Sequence, residues 1–206
     1  MAAIPSIKGS VMAGRAEILK KFLDANPVDA ATLESRFEPG DLKLLLEQPI
    51  ASARWYDIRI YARMQEFLRD FEGNGSNQYL VDSGMRSAES LIRAGTYQQM
   101  DYLRRTQHSS KSSEEERFAA FGRDLRLLIT VSYSILNFAP CEVIEDPNHE
   151  LRHIIQHTDA KDYPEVLCWT NQGFTNRMAA EHGSPNLWYW ERPRRDLVWF
   201  RMNRSV

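Results

Sequence analysis

Five consecutive residues could do chemistry at once: His149-Glu150-Leu151-Arg152-His153 spell H-E-x-x-H. On a helix the two histidines lie one turn apart and can share a zinc ion, while the glutamate polarises a bound water. The chain holds 5 histidines in 206 residues, and about one chain in a hundred of this composition would carry the pattern by chance. Context therefore decides. The motif follows Asp146-Pro147-Asn148, a turn sequence, and would occupy the first residues of any helix. Arg152 puts a charge between the supposed ligands, and Asp159 stands where the third histidine of the extended motif would fall. His157 could complete a ligand set on a continuous helix. On a strand, His153 and His157 face one side but stand about 13 Å apart, too far for one metal. The expectation is a surface β-hairpin that carries these histidines. A zinc-dependent metallohydrolase with His149 and His153 as ligands and Glu150 as base is the alternative.

Other chemistry is thinner. Cys141 and Cys168 lack C-x-x-C spacing and read as small buried apolar residues; two cysteines make no disulfide framework and suggest a reducing cytoplasm. Gly73-Asn74-Gly75 follows a helical pattern, not a strand, and matches no phosphate-binding loop; no G-x-S-x-G elbow occurs. Arg192, Arg194, Arg195, Arg201 and Arg204 form a basic end, read as a solvated hairpin tip or as a contact for an acidic protein partner or an anion.

The elements that must position these residues read helical first, then β. The chain is composed like a globular domain, with 43% hydrophobic and 26% charged residues. Its 26 basic and 28 acidic side chains leave a net charge of −2, so no global positive field is available for nucleic acid. No apolar run approaches the length of a membrane span, and the N-terminal residues lack the apolar core of a signal peptide. Apolar spacing predicts helices over Gly14–Leu23, Arg54–Phe71, Tyr79–Arg93 and from Thr96 to Leu103, with short helical turns over Ala31–Phe37 and Asp41–Leu46. Ser109–Ser113 reads as a loop whose last serine, with Glu116, forms a capping box. The helix it opens runs past Phe118, Phe121, Leu125 and Leu128 to Ile135. The tail reads β-β-α-β-β: strands at Cys141–Glu145 and Glu150–Thr158, a helix over Tyr163–His182, strands at Leu187–Glu191 and Leu197–Met202. A single domain over 1–206 is expected, 1–138 mainly helical and 139–206 ββαββ.

Several small helices thus precede Trp55-Tyr56-Asp57-Ile58-Arg59-Ile60-Tyr61-Ala62-Arg63-Met64. Val81-Asp82-Ser83-Gly84-Met85-Arg86-Ser87-Ala88 and Arg93-Ala94-Gly95-Thr96-Tyr97 follow, then the long helix and the ββαββ tail. This order resembles an uncharacterised bacterial, myxobacterial-type family. That family is related in fold to heme-NO-binding domains, four-vinyl-reductase domains and TRAPP subunits. The resemblance implies an α+β fold: a helical bundle packed on a four-stranded antiparallel sheet, often dimeric, serving as a sensory or interaction module without enzyme activity. The heme branch carries a helical histidine and a Y-x-S-x-R clamp. Tyr133-Ser134-Ile135-Leu136-Asn137 lacks both the serine and the arginine of that clamp, and His108 sits at the edge of a polar loop. No cofactor-binding residue is carried over, and no cofactor is expected.

The expected function is a non-enzymatic ligand-binding or protein-interaction module, cytoplasmic, with a small apolar ligand held between helices and sheet. The last two strands are apolar on both faces, which calls for a second cover. The N-terminal segment Ile4–Val11 is one candidate cover, and a homodimer or another protein is the other. The expected partner surface is Trp188, Trp190, Trp199, Arg194 and Arg195.

Overall fold

A computed structural model describes residues 4–94 and 113–206 of the chain. The helix expected from Thr96 and most of the serine loop lie outside the described residues. The fold is α+β, and the chain forms two compact units: Met1–Leu80 with Ser134–Phe138, and Val81–Tyr133 with Ala139–Val206. Among the described residues no helix is long and apolar enough to cross a membrane.

In the first unit, β1 (Ser6–Lys8) pairs antiparallel with β2 (Trp55–Asp57), and Ile7 bridges to Leu136. The N-terminal segment thus carries β1 of the first unit. Its backbone is engaged by β2, and α1 (Gly9–Ala25) starts directly after it. The same pairing takes Trp55–Asp57 out of the helix expected there. Helix α3 (Ile58–Phe71) begins where Asp57 accepts the Arg59 N–H at 2.9 Å. Helix α2 (Ala30–Arg36) is capped by Asp29 through the Thr32 N–H, and a π-helical turn spans Lys43–Glu47. The core centres on Phe67, fully buried, with Phe71 stacked at 4.5 Å, Phe37 at 5.4 Å and Phe22 edge-on at 6.0 Å.

In the second unit lies the four-stranded antiparallel sheet, in the order β3-β4-β6-β5: β3 Cys141–Glu145, β4 His153–His157, β5 Trp188–Arg194 and β6 Leu197–Met202. Its helices are α4 (Asn77–Arg93, from Val81 on), α5 (Glu114–Ile135, up to Tyr133) and α6 (Glu165–Glu181). The capping box opens α5 as the sequence reads: Ser113 Oγ accepts the Glu116 N–H, and Glu116 accepts the Ser113 N–H. Register across the sheet puts Val143, Ile155, Phe200 and Trp190 on one face, with His153, His157, Val198, Met202 and Trp188 beside them. All of these are buried except Trp190, which is half-buried. Helices α5 and α6 cover this face. Helix α4 crosses α6 with backbones in contact: a Cβ on Gly84 would stand 1.9 Å from the Thr170 carbonyl oxygen, and one on Gly173 1.9 Å from that of Val81. Only glycine fits either position.

Candidate functional site

The H-E-x-x-H residues do not share a helix. Asp146 folds the chain back through an Asx turn, its Oδ1 accepting the Asn148 N–H at 2.9 Å, and Leu151 adopts a positive φ of 55°. His149 and Glu150 sit exposed in this turn, and His153 is the first residue of β4. The expected hairpin is present and His149 is at its surface, but the two strand histidines are not: His153 is 1% and His157 3% exposed, both on the helix-covered face. Glu150 and Arg152 fall in the turn, so β4 is shorter than the expected strand. Among the described residues no group of three or more His, Cys, Asp or Glu is placed to hold a metal ion.

His153 docks α5 onto the sheet. Its ring stacks on Phe118 with centroids 4.0 Å apart, and Nε2–H donates to the Phe118 carbonyl at 3.2 Å. Nδ1 is buried without a hydrogen-bond partner. Burial pulls the His153 pKa below the ordinary histidine value, and the charge of Arg126 pulls the same way. His157 donates from Nδ1 to the Ala139 carbonyl at 3.0 Å, between Tyr163 and Phe200. Its burial pushes its pKa down to about 4, so both imidazoles are neutral at pH 7. Both cysteines are buried. Burial pushes the Cys168 thiol up to about 12, which leaves it no thiolate character near neutrality.

Next to this histidine contact, the unit encloses a cavity of about 10 Å³. Helix α5 contributes Phe121, Asp124, Leu125 and Leu128, α6 contributes Thr175, Met178 and Ala179, and His182 and Trp188 close it. Phe121 stacks on Trp188 at 6.3 Å and meets His182 edge-on at 6.1 Å. Leu128 and Met178 also belong to an apolar cluster with Ala88, Ile92 and Phe174. The lining is thus apolar with two titratable groups, Asp124 (2% exposed) and His182. Asp124 and His182 had no distinguishing signal in the sequence, because their place depends on the packing of α5 against α6 and β5.

A heme does not fit this cavity. Its volume is that of about one water molecule, against roughly 300–1,000 Å³ for sites that take larger ligands. The clamp position is otherwise engaged as well. Asn137 Oδ1 accepts the Ser6 N–H at 2.6 Å, and its Nδ2 donates to the Ile4 carbonyl at 3.1 Å, a structural tie to β1. His108 lies outside the described residues.

The expected partner residues scatter. Trp188 is 3% exposed beneath Phe121. Trp190 is half-buried, edge-on to Trp169 at 5.2 Å. Trp199 is on the opposite face, its Nε1–H donating to Gln156 at 2.8 Å with the Arg201 guanidinium over its ring. Glu142, Gln156, Glu191 and Arg201 share that face with Ile144 and the fully buried Ile154, so it mixes polar, aromatic and aliphatic side chains. The basic end is largely engaged. Arg192 donates to the carbonyls of Ala160, Tyr163 and Arg195. Arg201 pairs with Asp146 and Glu191, and Arg204 binds the carbonyls of Pro185 and Asn186. Arg194 pairs with Asp196 at 3.3 Å, and Arg195 is exposed at the turn.

No protein-family model and no curated protein matches the chain. Two solved structures do. A Cs H-NOX mutant carrying the unnatural amino acid 4-cyano-L-phenylalanine is 12% identical, covers 97% of this chain and 98% of its own, and superposes with a TM-score of 0.50. An isoleucine-to-phenylalanine mutant of T. Tengcongensis H-NOX is 13% identical over 97% of this chain and 100% of its own, with a TM-score of 0.48. At 12% identity the first likeness is one of backbone architecture, and it bears on the heme-NO-binding branch of the resemblance seen in the sequence. The chain has an H-NOX-like fold.

Proposed function

We propose that the chain is a non-enzymatic sensory module whose C-terminal unit takes up a small apolar ligand. The observation that carries this reading is the cavity between α5, α6 and β5, apolar except for Asp124, Thr175 and His182. The H-NOX-like fold supports it at the level of architecture. The cavity is small, so uptake requires Met178 or Leu128 to change rotamer, which an apolar cluster of this kind permits. Trp188 lines the cavity and reports on it directly. Benzene, added up to its solubility, is expected to shift Trp188 emission and raise the midpoint of thermal unfolding. Ala179→Leu fills the space and should abolish both effects. Identical responses of the two proteins would remove the reading.

A homodimer remains the proposed assembly. Its contact would use the outer sheet face, where Tyr189 is 36% exposed, since Trp188 is covered within the chain. Sedimentation at micromolar concentration tests it: a stable 24 kDa species would exclude it.

A further inference from the structure

The two edges of the sheet are treated differently. On β5, the ladder bond from the Asn203 N–H to the Leu187 carbonyl sets the alternation, so Trp188 and Trp190 aim their backbone groups outward. Helix α6 takes them up. Asn176 accepts the Trp188 N–H at 2.8 Å and donates to its carbonyl at 2.9 Å, and Gln172 accepts the Trp190 N–H at 2.9 Å. Pro193, next along, has no N–H to offer.

On β3 the opposite holds. Thr158 donates to the Pro140 carbonyl and Asp146 to that of Arg152, so the even-numbered residues bond to β4 and the odd-numbered ones face away. Among the described residues, nothing bonds the backbone N–H or carbonyl of Val143 or Glu145 on that side. The flanking charge is mostly negative. Glu142, which accepts from Gln156 Nε2 at 3.0 Å, and Glu145 are exposed on the strand, and Glu115 and Glu150 are exposed around a cleft of about 560 Å³ at its end, with Arg152 the only guanidinium among the described residues that line it. A bare strand edge is a template for another strand unless something blocks it.

We propose that the β3 edge is a docking site for an extended, basic peptide segment of another protein, added as a fifth strand alongside Val143 and Glu145. A second copy of this chain is disfavoured: antiparallel pairing of β3 with itself about Val143 sets Glu145 opposite Cys141 and Glu142 opposite Ile144, so no basic side chain meets either glutamate. A partner with the core Lys-Ile-Val-Lys instead places a lysine across from each glutamate and an apolar side chain across from Val143 and Ile144.

The test uses the full chain and two fluorescein-labelled hexapeptides, Gly-Lys-Ile-Val-Lys-Gly and Gly-Glu-Ile-Val-Glu-Gly, read by anisotropy. The lysine peptide is expected to bind about tenfold or more tightly than the glutamate peptide, and to weaken as salt rises. Val143→Pro deletes one outward N–H, which an edge strand tolerates, and should lower affinity about tenfold or more. Independently of that variant's folding, amide hydrogen exchange on the natural chain should show new protection at Val143 and Glu145 with the lysine peptide bound, and none at Trp188 or Trp190. Equal binding of both peptides, or unchanged exchange at Val143 and Glu145 at saturation, overturns the proposal. So does concentration-dependent protection of β3 without peptide, which would assign the edge to a second copy.

Discussion

His153 and Gly122 form one contact between them: a Cβ added at Gly122 would lie 2.7 Å from both Cε1 and Nε2 of the imidazole. The helix offers a hole where the strand offers a ring, and Phe118 one turn earlier supplies the stacking surface. Gly122→Ala should gain about 1 kcal/mol of helix propensity and lose about 1–3 kcal/mol to overpacking. Urea unfolding is expected to show net destabilisation. A stabilised variant would mean that the ring moves aside without cost.

Acid should weaken the fold through the two buried histidines. Both have folded-state pKa values below the ordinary 6.5, so between the two limits the unfolded chain binds more protons. Their contribution is fully present above pH 6.5 and declines as pH falls toward the folded values. For His157, held at about 4, the loss is about 3 kcal/mol by the time that pH is passed. The urea midpoint measured from pH 7.5 to 4 should fall, and His157→Phe should flatten the slope. A midpoint independent of pH in both proteins would contradict this.

Asn176→Ala leaves the Trp188 N–H and carbonyl without partners in a buried place. A cost of about 1–3 kcal/mol follows, with faster exchange of the Trp188 amide. Asn176→Asp keeps the acceptor and should recover amide protection but not the bond to the carbonyl. Equal exchange rates in all three proteins would show that the edge is closed by something other than this side chain.

The H-E-x-x-H residues should behave as two separate pieces. Protein purified without a histidine tag is expected to carry no stoichiometric zinc. Glu150→Gln and His149→Ala should leave stability within about 0.5 kcal/mol, as for exposed turn residues, whereas His153→Ala should cost several-fold more. Zinc near one equivalent, lost on His153→Ala, would restore the hydrolase alternative.

Local rules carried far in this chain. Ser113 and Glu116 announce the start of α5 because a capping box involves only four neighbouring residues. Cys141–Glu145 and Leu197–Met202 are strands over the residues their composition indicates. The ββαββ order, and with it the α+β class, was legible for the same reason. Boundaries failed where a distant segment competed. Trp55–Asp57 has helical spacing but pairs with β1, because Ser6–Lys8 arrives from some fifty residues away to take its backbone groups.

What the sequence determined by itself was the ββαββ order of the tail, the capping box that opens α5 and the turn that breaks H-E-x-x-H, all properties of residues within a few positions of one another. What only the tertiary structure decided was which polar groups are buried and who satisfies them. His153 and His157 read as surface residues until α5 covers their face. Arg192 reads as a free charge until the carbonyls of Ala160 and Tyr163 converge on it. Asn176 and Gln172 read as ordinary helix residues until they meet the edge of β5. The physical reason is the same in each case: hydrogen-bond satisfaction and desolvation depend on positions brought together only by packing, and no periodicity along the chain encodes them.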